Sequence, residues 1–226
     1  MKILMHYESG VEEADAPWLV EAETLDIADT PPLPDVAAAA RAGMERPIGM
    51  EKGLAARIRP GERVAIVVSD SFRRTAIDQV LPSLLDVLRH CGIREEDILF
   101  VVATGTHRGP TPEEAAQILG PEVYRRFQPQ LLAHDPHDAS NLVFRGTTSR
   151  GTRVLLNRHV LACDRIIVTG TVVYHYFGGF GGGRKSILPG IAGVESIAQN
   201  HARNLHASDD SLDPAVRIGG LTGNPV

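Results

Sequence analysis

The densest chemical signal in the sequence is a glycine-rich segment, residues 178–183, which holds five of the chain's 22 glycines. Arg184 and Lys185 follow it directly, His175 lies ten residues before the lysine, and His201 lies sixteen residues after it. A glycine run exposes backbone N–H groups to an anion and lets a ligand approach closely. On pattern alone, a phosphate-cradling loop and a flexible loop are equally supported.

This segment carries neither of the two common nucleotide-binding signatures. A Walker loop needs a glycine directly before its lysine, and Arg184 occupies that position. No G-x-G-x-x-G sequence falls where a strand meets a helix, so the dinucleotide-binding fingerprint is also absent. A phosphate-binding loop of another design remains open.

Three apolar runs predict the strands that would position these residues. Residues 63–68, 98–103 and 165–169 are continuous apolar stretches, typical of strands buried on both faces of a sheet. Between them, residues 75–90 carry apolar side chains at helical spacing, and residues 111–114 have the proline and acids of a helix start. This alternation predicts an α/β fold, with a mostly parallel, Rossmann-like sheet flanked by helices.

Charged or titratable side chains follow each predicted strand. Asp70 and Arg73 follow the first, His107 follows the second, and His175 and Lys185 follow the third. The same stretches also hold Arg74, Arg108 and Arg184. Ligands of open parallel sheets bind beyond the carboxyl ends of the strands. If the three strands are neighbours, we therefore expect these side chains to meet in one crevice.

Composition and charge exclude several classes of protein. The net charge of −5 over 226 residues argues against a nucleic-acid-binding domain. No apolar run approaches the ~18 residues of a membrane span, and no charged start leads into an apolar core of the kind that signal peptides carry. Cys91 and Cys163 are too few for a disulfide framework or a thiolate zinc site. We expect a cytoplasmic protein with one domain over residues 1–226, and neither a membrane nor a nucleic acid as partner.

The histidines differ in what their surroundings indicate. His107, taken alone, is more typical of a hydrogen-bonded loop residue than of a catalyst, and His201 is typical of an ordinary helix face. His175, beside the glycine-rich segment, fits either interpretation. His134 and His137 have the spacing of metal ligands, but Pro136 places them in a turn with no third ligand nearby, which favours a structural role.

Together, these motifs resemble the N-terminal part of the nickel-dependent lactate racemase family. The resemblance covers the chain from about residue 47 onward and rests on Asp70-x-x-Arg73, Gly105-Thr-His-Arg108, the segment from His175 to Gly190, and Asn200-His201. It is specific because separate motifs agree in their order and spacing.

The resemblance implies a cofactor, the nickel-pincer nucleotide, which is a pyridinium-3,5-bisthiocarboxylic acid mononucleotide that holds nickel. Lys185 would be joined to it through a thioamide, and His201 would supply an imidazole ligand to the nickel. Further contacts to the cofactor would come from Thr106, Gly179, Gly181, Gly182 and Gly183.

The resemblance also implies an isomerase, a racemase or epimerase of a 2-hydroxy acid that works by proton-coupled hydride transfer to this cofactor. His107 and His175 would be the acid/base pair, Arg73 would hold the substrate carboxylate, and Asp70 would support the site. Histidine suits proton exchange because its ordinary pKa of about 6.5 lies near neutral pH. Lys185 suits covalent attachment because a neighbouring cation, Arg184 by sequence, favours its neutral amine.

The chain departs from the family pattern around the expected substrate. Gly179 and Gly181 stand where the family usually carries alanine and serine, Phe72 stands where threonine is common, and Tyr174 stands where proline is frequent. The expected substrate is therefore lactate or a related 2-hydroxy acid that is bulkier or more polar.

The implied partners are the small 2-hydroxy-acid substrate, the enzymes that make the cofactor, and a second, C-terminal domain that the family carries and this chain lacks. Two other hypotheses stay open. One is a non-enzymatic module that binds phosphate or nucleotide through the glycine-rich segment. The other is an apo fragment of the enzyme that is inactive by itself.

Overall fold

The structure is a computed structural model that describes residues 2–7, 10–18, 20, 30–73, 75–206 and 208–226. Contacts divide the chain into two compact units, Met1–Pro34 and Asp35–Val226. The boundary falls at the end of a proline-rich stretch, residues 30–34, where each proline removes a backbone donor. None of the helices in the described ranges is long and apolar enough to cross a membrane.

The regular structure described in the first unit is a β-hairpin. Strands β1 (Lys2–Tyr7) and β2 (Gly10–Asp15) pair antiparallel, with Lys2 opposite Asp15. An ion pair between Lys2 and Glu13 links the two strands. Both partners are exposed, so this pair adds little to stability.

The second unit alternates strands with helices, as the sequence predicts. Its strands are β3 (Val64–Ser69), β4 (Ile98–Ala103), β5 (Leu131–Ala133), β6 (Leu142–Thr147), β7 (Arg153–Asn157), β8 (Arg165–Val168), β9 (Tyr174–His175) and β10 (Gly179–Phe180). Its α-helices are α1 (Val36–Glu45), α2 (Leu81–His90), α3 (Pro112–Leu119), α4 (Pro121–Phe127), α5 (Arg158–Leu161) and α6 (Val194–His201). Short 3-10 helices cover Leu54–Arg57, Ile77–Gln79, Glu95–Asp97, Gln128–Gln130, Ala139–Asn141, Gly183–Ser186 and Ala202–Asn204.

The central sheet has four parallel strands in the order β5-β4-β3-β8. The three strands predicted from apolar runs are thus neighbours, and the predicted α/β fold with a parallel sheet flanked by helices is confirmed. Full burial of the third strand was the wrong expectation. Ile166 and Val168 of β8 are 40% and 37% exposed, and within the described ranges β8 pairs with a neighbour on one side only.

Apolar side chains on the two faces of the sheet form two separate clusters. Ile66 and Phe100 belong to the larger cluster, which packs against α2, α3 and α4. Val67 and Val101 belong to the smaller one, together with Ile191 beyond the glycine-rich segment. Each such side chain, fully withdrawn from water, contributes on the order of 1.5–3 kcal/mol to folding. The sheet is therefore a rigid base for the loops at its carboxyl edge.

Other elements also differ from the sequence prediction. The helix expected over residues 75–90 begins only at Leu81, after a 3-10 turn at Ile77–Gln79. Pro82 explains the difference, because proline is tolerated in the first turn of a helix but breaks its interior. The antiparallel hairpin of β6 and β7 was not predicted, since its first strand is largely exposed.

Candidate active site

A cavity of about 680 Å³ lies at the carboxyl ends of β3 and β4, beside the stretch that follows β8. Nine of the eleven predicted site residues line it: Asp70, Arg73, Thr106, His107, His175, Gly181, Gly182, Lys185 and His201. A second cavity of about 640 Å³ lies between α2 and α4 and contains none of them. The side chains that follow the three strands therefore do meet in one crevice.

His107 is held by a buried carboxylate at the end of the neighbouring strand. The Nδ1 of His107 lies 2.6 Å from Oδ2 of Asp70, which is only 4% exposed. The other oxygen of Asp70 accepts a hydrogen bond from the Phe72 backbone at 3.2 Å. A carboxylate only accepts, so Nδ1 of His107 donates and Nε2 is left as the nitrogen that can exchange a proton with a ligand.

His175 and Lys185 contact each other within the same cavity. Nζ of Lys185 lies 2.9 Å from Nε2 of His175. Burial, followed by the charges of Lys185, Arg73 and His201, lowers the pKa of His175 to about 4. The sequence had suggested a histidine that titrates near neutral pH, and the crevice instead keeps His175 uncharged there.

Burial and the charge of Arg73 lower the pKa of the Lys185 amine. Arg73 is therefore the cation that lowers the pKa of Lys185, an effect that the sequence analysis assigned to Arg184, whose side chain is exposed. Arg73 is also exposed, and no ion pair involves it in the part of the chain that the structure describes. Arg74, its neighbour, lies outside the described residues.

A small hairpin, β9 and β10, positions His175. Gly179 pairs with His175, and the Gly181 backbone donates to the Val173 carbonyl at 2.7 Å. Gly182 adopts a φ of +73°, and a Cβ there would lie 2.6 Å from the Thr171 carbonyl oxygen. Glycine is therefore required at 182 by the fit of the protein's own backbone.

The last residues of the chain pack on this hairpin, which the sequence did not reveal. A Cβ at Gly179 would lie 2.1 Å from the Gly220 carbonyl oxygen, and the φ of Gly179 is +76°. Asn224 donates from Nδ2 to the carbonyls of Phe177, at 2.9 Å, and Gly220, at 3.2 Å. Gly179 and Gly183 are the two predicted cofactor contacts that do not line the cavity; Gly179 is buried, and Gly183 is exposed with open space beside it.

His201, the last residue of α6, presents one ring nitrogen to the backbone. Its Nδ1 lies 2.9 Å from the carbonyl oxygen of Ile197 and donates to it. Nε2 then carries the lone pair, which is the arrangement found in histidines that bind metals. The ring also contacts Phe177 edge-on, with centroids 5.9 Å apart.

Aromatic rings lie against both candidate acid/base histidines, and the sequence analysis missed this role. The Phe72 ring lies 4.8 Å from that of His107, and Tyr176 stacks on His175 at 4.8 Å. Both rings line the cavity and are more than half exposed. The signal that could have found them is the presence of aromatics beside polar residues in a chain that is only 5% aromatic.

The structural role favoured for His134 agrees with its contacts. Its ring is buried, its Nε2 lies 2.9 Å from the Ala192 carbonyl oxygen, and its Nδ1 lies 3.1 Å from Nδ2 of Asn157. Both ring nitrogens are thus used by the protein. Over the ranges that the structure describes, no group of three or more His, Cys, Asp or Glu side chains could hold a metal ion.

Comparison with known proteins gives the same relationship from sequence and from structure. The family model for the lactate racemase N-terminal domain matches residues 7–212. The lactate racemase of Thermoanaerobacterium thermosaccharolyticum is 33% identical over 183 residues, and that of Lactiplantibacillus plantarum is 32% identical over the same length. Each alignment covers 81% of this chain but 41% of the relative, so the chain spans about two fifths of their length.

Solved structures agree with this result. The structure of the lactate racemase apoprotein from T. thermosaccharolyticum superposes with a TM-score of 0.76 at 27% identity, over 100% of this chain and 51% of that one. A protein from Thermotoga maritima has a TM-score of 0.59 at 24% identity, covering 72% of this chain and 40% of its own, which shows a shared fold only. The family model spans most of the chain, and on that basis the chain belongs to the lactate racemase N-terminal domain family.

Proposed function

We propose that this chain is the cofactor-bearing part of a racemase or epimerase that acts on a 2-hydroxy acid, lactate or a related acid. The observation that carries the proposal is one cavity that holds two histidines suited to proton exchange, a lysine amine and a third histidine with an available lone pair. The names of the relatives, which are lactate racemases, support the same reaction class.

Arg73 is proposed to bind the substrate carboxylate. Its guanidinium is exposed at the cavity, and a planar fork of N–H donors matches a carboxylate with two parallel hydrogen bonds. This contact would fix the acid end of the substrate and leave the hydroxyl-bearing carbon between the two histidines.

His107 and His175 are proposed to exchange the hydroxyl proton from opposite sides of that carbon. Nε2 of His107 is the exchanging atom because Asp70 occupies Nδ1. Nε2 of His175 is proposed as the exchanging atom. Two backbone N–H groups donate to Nδ1 in the cofactor-free geometry, so uptake of a proton by this ring during turnover requires those donors to move away from Nδ1. Two bases are needed because inverting a stereocentre requires access to both faces of the same carbon.

The residues present fit the nickel-pincer nucleotide that the family uses. Lys185 would hold it covalently through an amine whose pKa is lowered, and His201 would ligate nickel through Nε2. Gly181, Gly182 and Thr106 would lie against it, and Gly183 has the open space that a ligand could approach. When bound, this cofactor supplies the hydride acceptor that the reaction requires.

The alternative of a non-enzymatic phosphate- or nucleotide-binding module has less support. Gly179 and Gly182 are each required by a close approach of the protein's own backbone, so the glycine-rich segment is explained without a phosphate. We propose three partners for this chain: the substrate, the enzymes that synthesise the cofactor, and the part of the protein that corresponds to the rest of the relatives' length.

Intact mass and nickel content test the proposal in protein that is co-expressed with the cofactor-synthesis enzymes. We expect one added nucleotide mapped to Lys185, one nickel, and racemisation of at least one acid from a panel of chiral 2-hydroxy acids. Lys185→Ala should carry neither adduct nor activity, whereas Lys52→Ala, an exposed lysine, should keep both. Active protein with an unmodified Lys185 would overturn the proposal, and reversible nucleotide binding without nickel would favour the module instead.

A further inference from the structure

The side chains of His175 and Lys185 are in hydrogen-bonding contact, so one of the two nitrogens must donate a hydrogen and the other must accept it. We infer that His175 is a positioning residue that holds the Lys185 side chain as a neutral amine in the cofactor-free chain. The argument rests on the hydrogen-bond partners of each ring nitrogen.

Nδ1 of His175 is an acceptor. The backbone N–H groups of Phe177 and Gly178 both donate to it, each at 3.1 Å. A nitrogen that accepts two N–H groups cannot itself bear hydrogen, because its own proton would face both donors. In this cofactor-free geometry the doubly protonated ring is excluded for the same reason. His175 is therefore neutral, with its hydrogen on Nε2.

The state of His175 then sets the state of Lys185. Nε2 of His175, which bears hydrogen, lies 2.9 Å from Nζ of Lys185. An ammonium group has three donors and no acceptor, so two N–H groups would confront each other if the lysine were charged. A neutral amine has a lone pair that accepts from Nε2. Only the neutral amine satisfies this contact.

The charges around the cavity agree with this assignment. The titratable and charged side chains that line it in the described residues are Asp70, Arg73, His107, Tyr174, His175, Tyr176, Lys185 and His201. The carboxylate of Asp70 is engaged by His107, while burial and Arg73 disfavour a charge on Lys185. Burial and the charge of Arg73 likewise oppose a second proton on His175, and neither cause requires a charge on Lys185.

The biochemical meaning of this contact rests on the proposed function. A lysine must have a free lone pair before its nitrogen can bond to the thiocarboxyl carbon of the cofactor, and an ammonium group has none. The bond would form as a thioamide, with the C–O bond of the thiocarboxyl group broken and water lost. His175 would thus act before any turnover, by preparing the residue to which the cofactor is attached.

Competitive acetylation of the cofactor-free protein tests the inference. Acetic anhydride reacts with unprotonated amines, and the chain has three lysines, Lys2, Lys52 and Lys185, whose labelling can be followed separately by mass spectrometry. We expect the pH midpoint for labelling of Lys185 to lie at least about three units below that of exposed Lys52, because the inference requires a neutral amine near pH 7. Equal midpoints for the two lysines would overturn the inference.

His175→Asn isolates the contribution of the imidazole. The asparagine oxygen can still accept from the two backbone donors, but its side chain ends before the position of Nε2. We expect the Lys185 midpoint to rise by about one unit, with labelling at pH 7 reduced about tenfold. His137→Asn, the same change at an exposed histidine, should leave it unaltered. An unaltered midpoint in His175→Asn would contradict the inference.

The tautomer can be read directly in the wild-type chain. Long-range proton–nitrogen NMR of histidine-labelled protein should show His175 neutral, with hydrogen on Nε2, from about pH 5 to pH 8. Hydrogen on Nδ1, or a charged ring in that range, would refute the inference without any substitution. A neutral Lys185 that never receives the nucleotide would refute the proposed function alone, and an adduct on a lysine of ordinary pKa would refute this inference alone.

Discussion

At the scale of single residues, Asp70 gives His107 its orientation. The carboxylate is buried, accepts from Nδ1 at 2.6 Å and leaves Nε2 as the atom of the proposed proton exchange. In the loaded enzyme, Asp70→Asn should lower kcat at least about a hundredfold, because general acid/base catalysis typically contributes that much. Adding Asp70→Asn to His107→Ala should cost little more, since the two residues act as one unit.

Racemisation assays at saturating substrate check this effect, with Asp209→Asn, an exposed carboxylate elsewhere, as the control. Full activity of Asp70→Asn would mean that His107 is oriented by something else. Full activity of His107→Ala would remove His107 from the acid/base pair.

Phe72 is placed to affect substrate choice. It lines the cavity, is 55% exposed and packs on the ring of His107. Phe72→Thr should lower the ratio of kcat/KM for 2-hydroxyisocaproate to that for lactate by about tenfold, because apolar contact with the longer side chain is lost. Phe144→Thr, at an exposed phenylalanine on β6, should leave the ratio unchanged. An unchanged ratio in Phe72→Thr would show that Phe72 does not contact the substrate side chain.

The sequence identified which residues gather in the cavity but not which of them bond to each other. Asp70 and His107 are 37 residues apart, and their pairing depends on the register between β3 and β4. Arg184 was expected beside Lys185 because it is adjacent in the chain, yet Arg73, from another strand end, acts on it. The positions of residues along the chain predict which of them lie at the same edge of a sheet. They do not predict in which direction each side chain points.

At the scale of elements, the β9–β10 hairpin depends on the terminal segment that packs on it. Gly179→Ala would place a Cβ 2.1 Å from the Gly220 carbonyl oxygen and also strain a φ of +76°. Gly183→Ala is a matched control. The φ of Gly183 is also positive, at +52°, but a Cβ there would lie in open space. We expect both to destabilise the chain, Gly183→Ala by about 1–2 kcal/mol from backbone strain and Gly179→Ala by clearly more.

Urea unfolding measures this difference, and amide hydrogen exchange over residues 175–183 locates it. Asn224→Ala, which removes two hydrogen bonds to the hairpin, should accelerate exchange in the same residues. Equal destabilisation by the two alanines would contradict the proposed close contact between Gly179 and Gly220.

Regular elements were predicted well where their pattern is local. The apolar runs of β3 and β4 define buried strands, and the three predicted strands are neighbours in the sheet. The hairpin of β9 and β10 could not be predicted, because each strand has two residues and their pairing depends on the distant terminal segment. The exposure of β8 was also hidden, since apolar composition does not reveal an edge position.

At the scale of the whole molecule, the uncharged histidines make folding stability depend on pH. His175 has a folded pKa of about 4, below its ordinary value of about 6.5, and burial lowers the pKa of His134 in the same direction. Between those two values the unfolded chain binds more protons than the folded one. The contribution of these two histidines to stability is therefore complete above about pH 6.5 and is lost progressively as the pH falls toward 4.

Urea midpoints measured from pH 4.5 to pH 7.5 should rise with pH, and His175→Asn should flatten part of that rise. His137→Asn, at an exposed histidine, should keep the wild-type slope. A slope in His175→Asn identical to that of the wild type would show that His175 titrates normally in the folded chain.

The packing of the terminal segment on the hairpin has a consequence for biosynthesis. A chain leaves the ribosome from its amino end. The side-chain amide of Asn224 donates to the carbonyl of Phe177, whose own backbone N–H donates to the ring of His175. Lys185 is therefore synthesised 39 residues before Asn224, since 224 minus 185 is 39. The proposed attachment of a cofactor to Lys185 would then follow synthesis of the segment that supports its pocket.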